Sequence, residues 1–144
     1  MKSQRFGIEI EMTGLTRRSA ALIIAKHFDT GFRHERGVYD TYSVCDQDGR
    51  KWKIVRDASI TPQCGNRFDY DPDYKVEVVS PICHYEDIET IQSIVRELRR
   101  NGHAKVNESC GIHIHVDASK HTARSLRNIA NIMYSKEDLI FKAL

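Results

Sequence analysis

Two pairs of residues in this sequence have the types and the spacing to bind a divalent cation. The first pair is Glu9 and Glu11, which lie two positions apart in the alternating segment 5–12, RFGIEIEM. On a strand, both carboxylates leave the same face, with their Cα atoms ~6.6–6.8 Å apart. At an effective dielectric constant near 20 they repel by ~2.5 kcal/mol, which a bound cation would remove. A solvated strand face also tolerates such a pair, so the spacing alone does not decide.

The second pair, His113 and His115, repeats this geometry in the segment Cys110–Asp117, where aliphatic residues occupy the alternate positions. One imidazole can ligate a metal while the other donates to a phosphate oxygen, and both are common roles of histidine. The alternative is that the two rings bond to neighbouring groups or water, with Asp117 accepting from His115.

Asp57 and Glu77 are further acids on segments that could neighbour these strands. Four carboxylates and two histidines form an oxygen-rich set, which favours Mg²⁺ or Mn²⁺ over Zn²⁺. A zinc site built from Cys110 and the two histidines is the alternative. Strand alternation argues against it, because it places Cys110 on the opposite face.

The elements that must position these groups follow from periodicity and turn signals. Residues 57–74 are polar and turn-rich, and a loop of this length is often functional. The pattern favours an α+β fold with a curved, mainly antiparallel sheet and helices packed on one face. The predicted elements are a strand over 5–12, a helix from Thr13 or Thr16 to about His27, a hairpin of Tyr39–Val44 and Trp52–Val55, a strand over Tyr74–Ser80, a helix over 86–101, a strand over Cys110–Asp117 and a last helix from near Ser119.

Two expectations about side-chain burial and one observation about the last helix accompany these elements. In the first helix, Leu22 and Ile23 are expected to face the core, with Ala25 or Phe28 beside them. The pairs Arg17-Arg18 and Arg99-Arg100, with Arg96, are expected on solvated helix faces. The last helix carries an apolar stripe that runs to Leu144 without a stop signal.

Composition restricts the class of protein. The chain has 144 residues, of which 40% are hydrophobic and 29% charged, and its net charge is +2. These values predict one globular domain and give no reason to expect a nucleic acid or a membrane as partner. The four cysteines have no CxxC spacing and no leader precedes them, so we expect reduced thiols and a cytoplasmic location. A secreted protein with two disulfides is the alternative.

Four motifs in order give the sequence a recognisable identity. Taken together, they resemble the amidoligase family, which belongs with glutamine synthetase and glutamate–cysteine ligase among the carboxylate–amine ligases. The resemblance covers the whole chain. The motifs are Phe6–Glu11, Asp57–Ile60, Glu77–Pro81 and Cys110–Asp117.

The resemblance implies a glutamine synthetase-like catalytic fold and a ligase that uses ATP and Mg²⁺ or Mn²⁺. A carboxylate substrate is phosphorylated to an acyl phosphate, and an amine substrate (an amino acid, a peptide or a protein) displaces the phosphate to give an amide. Glu9 and Glu11 would bind different ions, and together with His113 and His115 they would be the catalytic residues. Asp57 and Glu77 would complete the ion nearer the amino-acid substrate, His113 would join Glu9 at the ion of ATP, and His115 would contact ATP.

The same resemblance indicates how much of an amidoligase domain the chain contains. Relatives continue into a second half that supplies another Glu ligand and an Arg, so residues 1–144 are expected to form a single amidoligase-like domain or the N-terminal portion of one. Asp57 stands where the better-known ligases have Glu. Two other functions remain open for these residues: a two-metal phosphoesterase or nuclease, and a non-catalytic binding module that keeps the fold.

Overall fold

The computed structural model describes residues 3–65, 67–68 and 70–143. In this part of the chain the fold is α+β, as predicted. The strands are β1 (Phe6–Met12), β2 (Phe32–Arg36), β3 (Thr41–Cys45), β4 (Lys51–Val55), β5 (Gln63–Cys64), β6 (Arg67–Phe68), β7 (Val76–Val79) and β8 (Ile112–Val116). Six of them form an antiparallel sheet in the order β2-β3-β4-β7-β1-β8, and β5 and β6 form a separate two-stranded hairpin.

Three α-helices accompany the sheet: α1 (Arg17–His27), α2 (Ile88–Gly102) and α3 (Ala123–Ala143). Helix α1 packs on β3 and β4 and against α2. Thr16 caps α1, because its side chain accepts a hydrogen bond from the backbone N–H of Ser19. Two single turns of 3-10 helix, Pro72–Tyr74 and Tyr85–Asp87, precede β7 and α2.

One face of the sheet holds the hydrophobic core. In β1, β7 and β4, the alternate residues Met12, Val78 and Ile54 are buried against α1 and α2. The opposite face carries the intervening residues of the same strands, including Glu9, Glu11 and Glu77, and we refer to it as the open face. Strand alternation therefore separates the acidic residues from the apolar ones.

Strand β2 was not predicted from the sequence. Its residues, FRHER, contain one apolar side chain, so hydrophobic alternation gives no signal there. The predicted loop over 57–74 also contains the β5–β6 hairpin and the turn Pro72–Tyr74. The other predicted elements are present with shifted ends, the largest shift being the last helix, which begins at Ala123.

Two predictions about helix α1 were wrong. Leu22 is 41% exposed, whereas Ala25 and Phe28 are buried and Ile23 packs against the core, as predicted, beside Ala20, Ala21 and Ile24. Arg17 is 2% exposed and not solvated: acidic side chains and backbone carbonyls from distant segments surround its guanidinium. Arg18 and Arg99 are exposed as predicted.

The aliphatic side of β8 and the apolar stripe of α3 are exposed. Ile112, Ile114 and Val116 are each more than half exposed, and the described residues of α3 include no buried side chain. Alternation correctly placed these aliphatic residues opposite His113 and His115. Neither α1 nor α2 extends over this edge of the sheet.

Candidate metal centre

Strand pairing brings acids and histidines from three strands together on the open face. In β1, Glu9 lies opposite His113 of β8, and Glu11 lies opposite Glu77 of β7. Side chains on directly opposed residues of antiparallel strands point to the same side, with Cβ atoms ~4.5–5.5 Å apart. Three neighbouring strands therefore direct these carboxylates and the imidazole of His113 into one region.

Glu9 accepts from both histidines at a single oxygen. Its Oε2 lies 3.1 Å from Nδ1 of His113 and 3.3 Å from Nε2 of His115. Burial opposes the ionisation of Glu9, but the hydrogen bonds from His115 and His113 outweigh it and lower the pKa of the carboxyl group. The bond to Glu9 in turn raises the pKa of His113. This end of the cluster thus holds a proton between an imidazole and a carboxylate.

Glu77 is crowded by like charges. Its exposed fraction is 9%, and burial, followed by the charges of Glu9, Asp57 and Glu11, raises its pKa to about 7. The charge of His113 favours ionisation of Glu77 but offsets the burial and the neighbouring carboxylates only in part. A divalent cation would supply further positive charge.

Glu11 is held in place by the backbone that leads into β8. It is 6% exposed, and its Oε2 accepts the backbone N–H of Gly111 at 2.6 Å. The main chains are also joined here, because the N–H of Glu11 donates to the carbonyl of Gly111. Gly111 therefore fixes both the main chain and the carboxylate of Glu11.

Asp57 reaches the cluster from the loop that follows β4. Its Oδ1 accepts from the backbone N–H and the hydroxyl of Ser59, each at 2.6 Å, and these bonds hold its pKa below the usual range. Nearby, Nζ of Lys75 donates to the carbonyl of Ala58 at 2.7 Å. The loop thus keeps Asp57 ionised and ties it to the start of β7.

Two overlapping groups of ligand atoms result. Glu9, Glu77 and His113 form one group, and Glu11, Asp57 and Glu77 form the other. Within each group the candidate ligand atoms lie within 4.8 Å of one another, and Glu77 belongs to both. All five residues predicted as metal ligands are therefore brought together. His115 lies beside Glu9 but belongs to neither group, and neither does Cys110, whose thiol donates to Asn107.

An open groove adjoins the cluster at Glu9 and His115. Its volume is about 380 Å³, and its lining includes Gly7, Val79 and Ile82. A Cβ on Gly7 would lie 4.0 Å from Cβ of His115, so the glycine leaves space without being forced by a clash. The groove is mainly apolar, which suits a flat organic group more than a charged one.

Sequence reasoning missed the contacts that position the 57–65 loop. Thr13 is buried and exchanges hydrogen bonds with the backbone of Gln63. Asn107 donates to the carbonyl of Thr61, and the backbone N–H of Thr61 donates to the hydroxyl of Ser109. The short side chains of Asn107 and Ser109 near a turn were the available signal, since such residues bond readily to nearby backbone.

Arg17 is the second missed group. Its guanidinium donates to Asp40 and Asp73 and to the carbonyl oxygens of Pro72 and Lys75. It thereby ties the start of α1 to the segment that enters β7, two residues before Glu77. The acidic partners lie far away in sequence, so the pattern of the helix could not reveal them.

Comparisons with known proteins agree with the sequence motifs. No described helix is long and apolar enough to cross a membrane. No curated protein and no solved structure matched the chain. A family model described as "putative amidoligase enzyme" matches residues 2–144, which is nearly the whole sequence. The motifs on β1, β7 and β8 that build the cluster lie inside this match, and the chain belongs to the amidoligase family.

Proposed function

We propose that this chain is an ATP-dependent carboxylate–amine ligase with a glutamine synthetase-like fold. In the reaction, a substrate carboxylate oxygen bonds to the γ-phosphorus of ATP, and ADP leaves. The amine nitrogen then bonds to the acyl carbon, phosphate leaves with its electron pair, and the amine loses a proton. The products are an amide, ADP and phosphate. Family membership supports the ligase class, and the cluster on the open face supports the finer assignment.

The observation that carries the proposal is the sharing of Glu77 by two ligand groups. The donor set is four carboxylates and one imidazole, which fits Mg²⁺ or Mn²⁺. Burial and the charges of Glu9, Asp57 and Glu11 raise the pKa of Glu77, and a bound cation would oppose this repulsion. When bound, such ions would neutralise the phosphate and carboxylate oxygens that phosphoryl transfer brings together.

Each residue then has a separate task. Glu9 and His113 would hold one ion and Glu11 and Asp57 the other, and Glu77 belongs to both groups. His115 is 66% exposed at its side chain, so a ring N–H can donate to a phosphate oxygen. The adjoining groove over Gly7 is placed to receive the nucleoside end of ATP. We place the reaction in the cytoplasm, with ATP, a carboxylate and an amine as its small-molecule partners.

A calorimetric titration tests the nucleotide part of this proposal. The full chain is titrated with an ATP analogue whose β,γ-bridge resists hydrolysis, with and without Mg²⁺. We expect binding that requires Mg²⁺ and that is lost in Glu9→Gln and Glu11→Gln. The matched control is Glu86→Gln, because Glu86 is an exposed acid outside the cluster. Binding that ignores Mg²⁺, or that survives both cluster variants, would contradict the assignment.

Product analysis separates the ligase from the other two functions. A ligase releases ADP over many turnovers only when a carboxylate and an amine are both supplied, because without the amine the acyl phosphate is not converted to the amide. A two-metal phosphoesterase would hydrolyse a test phosphodiester such as bis(p-nitrophenyl) phosphate without ATP or an amine. A non-catalytic module would bind nucleotide and do neither.

A further inference from the structure

The registers of the sheet align one row of side chains across the whole open face. Each member lies opposite the next in the neighbouring strand, from β8 at one edge to β2 at the other. Side chains in such a row point to the same side. In order, the row is His113, Glu9, Val79, Lys53, Ser43 and Arg33.

The two halves of this row differ in charge. The β8–β1 half contains the acidic cluster, whereas the β4–β2 half presents Lys53 and Arg33, both exposed. Val79 separates the two halves. The open face therefore has an acidic half and a basic half, and strand alternation places the side chains of both on the same side of the sheet.

Lys53 and Arg33 form no direct ion pair within the described part of the protein. Glu35 on the same face accepts at its Oε1 from Lys51 and from the hydroxyl of Ser43, each at 2.9 Å, and Lys53 acts on it only through its charge, which helps to lower the pKa of Glu35. Two exposed cations beside an acidic site are thus available to an anionic ligand.

The spacing of neighbouring strands gives the approximate distances from Glu9 to Lys53 and to Arg33. Neighbouring strands lie ~4.8 Å apart, so Lys53, two strands from Glu9, lies about 10 Å away, and Arg33 about 19 Å away. An extended peptide advances ~3.3–3.6 Å per residue, so about three residues span the distance from Glu9 to Lys53. A substrate that lies along the row can reach both halves at once.

We infer that Lys53 and Arg33 bind a second anionic group of the carboxylate substrate, which therefore carries two carboxylates about 10 Å apart. The inference rests on the proposed function, because it takes the reacting carboxylate to lie at the Glu9–Glu11–Glu77 cluster. The second carboxylate binds at the row and is not consumed. Lys53 and Arg33 are thus specificity-determining residues.

Peptide binding to the Mn²⁺-loaded chain tests the inference. The probe is N-acetyl-Glu-Ala-Ala-Glu-amide, compared with its Gln-Ala-Ala-Glu counterpart, and sebacate is the probe for a free dicarboxylate. We expect the diacid peptide to bind at least about tenfold more tightly than the monoacid peptide. Lys53→Gln should remove most of this difference, and the double variant with Arg33→Gln should remove all of it. Tighter binding of sebacate than of the peptide would indicate a free dicarboxylate as the source of the two groups.

The matched control is Lys26→Gln, which removes an equally exposed charge from α1, on the far side of the sheet. An equal loss of affinity in this control would mean general charge attraction and would overturn the inference. Equal binding of the two peptides would overturn it as well. So would a loss of ATP-analogue affinity in Lys53→Gln with peptide binding unchanged, or preference for a single-stranded oligonucleotide over the peptide.

Mn²⁺ binding, followed separately by electron paramagnetic resonance, distinguishes failure of the substrate inference from failure of the proposed function. If the chain binds Mn²⁺ and the ATP analogue while the Lys53 and Arg33 variants bind the peptide normally, only the substrate inference fails. If the chain binds neither Mn²⁺ nor nucleotide, the proposed function fails.

Discussion

Glu11 and Glu77 lie directly opposite each other in the antiparallel pair of β1 and β7, with exposed fractions of 6% and 9%. Like charges at directly opposed positions destabilise a sheet, and burial increases their repulsion. The fold therefore carries a local electrostatic cost when no cation is bound. The pKa of Glu77 is raised by its burial first, and then by the charges of Glu9, Asp57 and Glu11.

Replacing Glu77 with Gln should stabilise the metal-free protein at pH 8. The pKa of Glu77 is about 7 in the folded chain and 4.5 as the ordinary value, so its contribution to stability is complete below pH 4.5 and is lost as the pH rises through 7. The amide has no charge to lose. We expect Glu77→Gln to raise the free energy of unfolding at pH 8 by about 1–2 kcal/mol, after allowance for solvent screening. Urea denaturation at pH 5 and pH 8 measures it.

With Mn²⁺ bound at pH 8, the wild-type chain should be more stable than Glu77→Gln. Mn²⁺ should stabilise the wild-type chain at pH 8 and leave Glu77→Gln nearly unchanged, because the variant lacks the shared ligand. Glu86→Gln, at an exposed position, should resemble wild type in both conditions. A variant Glu77→Gln that is less stable than wild type at pH 8 without metal would show that the carboxylate is not repelled as described.

The two histidines should separate cation binding from nucleotide binding. His113 belongs to a ligand group and His115 does not, although both contact Glu9. We expect His113→Gln to weaken Mn²⁺ binding by about 10–100-fold and His115→Gln to leave it within a few fold. The two variants serve as controls for each other, since they alter the same residue type two positions apart.

The same two variants are then titrated with the Mg²⁺-bound ATP analogue. His115→Gln should bind it more weakly despite normal Mn²⁺ affinity, because the lost ring N–H no longer donates to phosphate. Cation affinity should also rise with pH through the raised pKa values of His113 and Glu77, since a cation competes with their protons. Equal Mn²⁺ affinity in both variants would contradict the assignment of His113.

Arg17 and the adjacent Arg18 should respond very differently to the same substitution. Arg17→Met removes the donor to Oδ2 of Asp40, to Asp73 and to the carbonyl of Lys75, although His34 still bonds to Asp40. Arg18, in contrast, is exposed. Removing one partner of a buried ion pair costs about 3–5 kcal/mol, and the partial exposure of Asp40 and Asp73 reduces this to about 2–3 kcal/mol. Arg18→Met should stay within about 0.5 kcal/mol of wild type.

Thermal unfolding of the two methionine variants measures this difference, and Mn²⁺ titration extends it. If Arg17 holds the segment that enters β7, the variant should also bind Mn²⁺ more weakly at temperatures where it is still folded. Similar melting temperatures for the two variants would restore the original expectation that both arginines are solvated.

Local periodicity was enough to predict β1, β7 and β8 and to place their acids and histidines opposite the aliphatic side chains. It failed for β2, where Arg33, His34 and Glu35 give a strand with little apolar content. That strand forms because its neighbour β3 offers hydrogen-bonding groups and the stacking partner Tyr42, which no property of the segment itself reveals.

The sequence placed Asp57 and Glu77 on segments that could be neighbouring strands, but their role at one shared ion followed only from the resemblance to a family. The two residues approach because β4 and β7 are paired and because Ser59 and Lys75 shape the loop between them. Burial of Arg17 depends likewise on Asp40 and Asp73, contributed by separate segments. Alternation is a local property of one strand, whereas these arrangements depend on which strands become neighbours.

Adding a single methyl group at Gly14 should destabilise the fold and weaken cation binding at the cluster. Gly14 has a φ of +85°, and an added Cβ would lie 2.8 Å from the carbonyl oxygen of His103, a backbone atom with little freedom to move. Its own N–H donates to the carbonyl of Gln63, on the loop that carries Asp57. We expect Gly14→Ala to lower the free energy of unfolding by about 2–3 kcal/mol and to weaken Mn²⁺ binding.

Gly31→Ala is the matched control, because no atom lies within 4 Å of a Cβ built there. Its stability should remain within about 0.5 kcal/mol of wild type, with unchanged Mn²⁺ affinity. Urea denaturation and Mn²⁺ titration of both variants give the comparison. If Gly14→Ala lost stability but bound Mn²⁺ normally, the hydrogen bond from Gly14 to Gln63 would support the fold without positioning Asp57. Because Thr13 also exchanges hydrogen bonds with Gln63, Thr13→Val should then show which of the two adjacent contacts holds the loop.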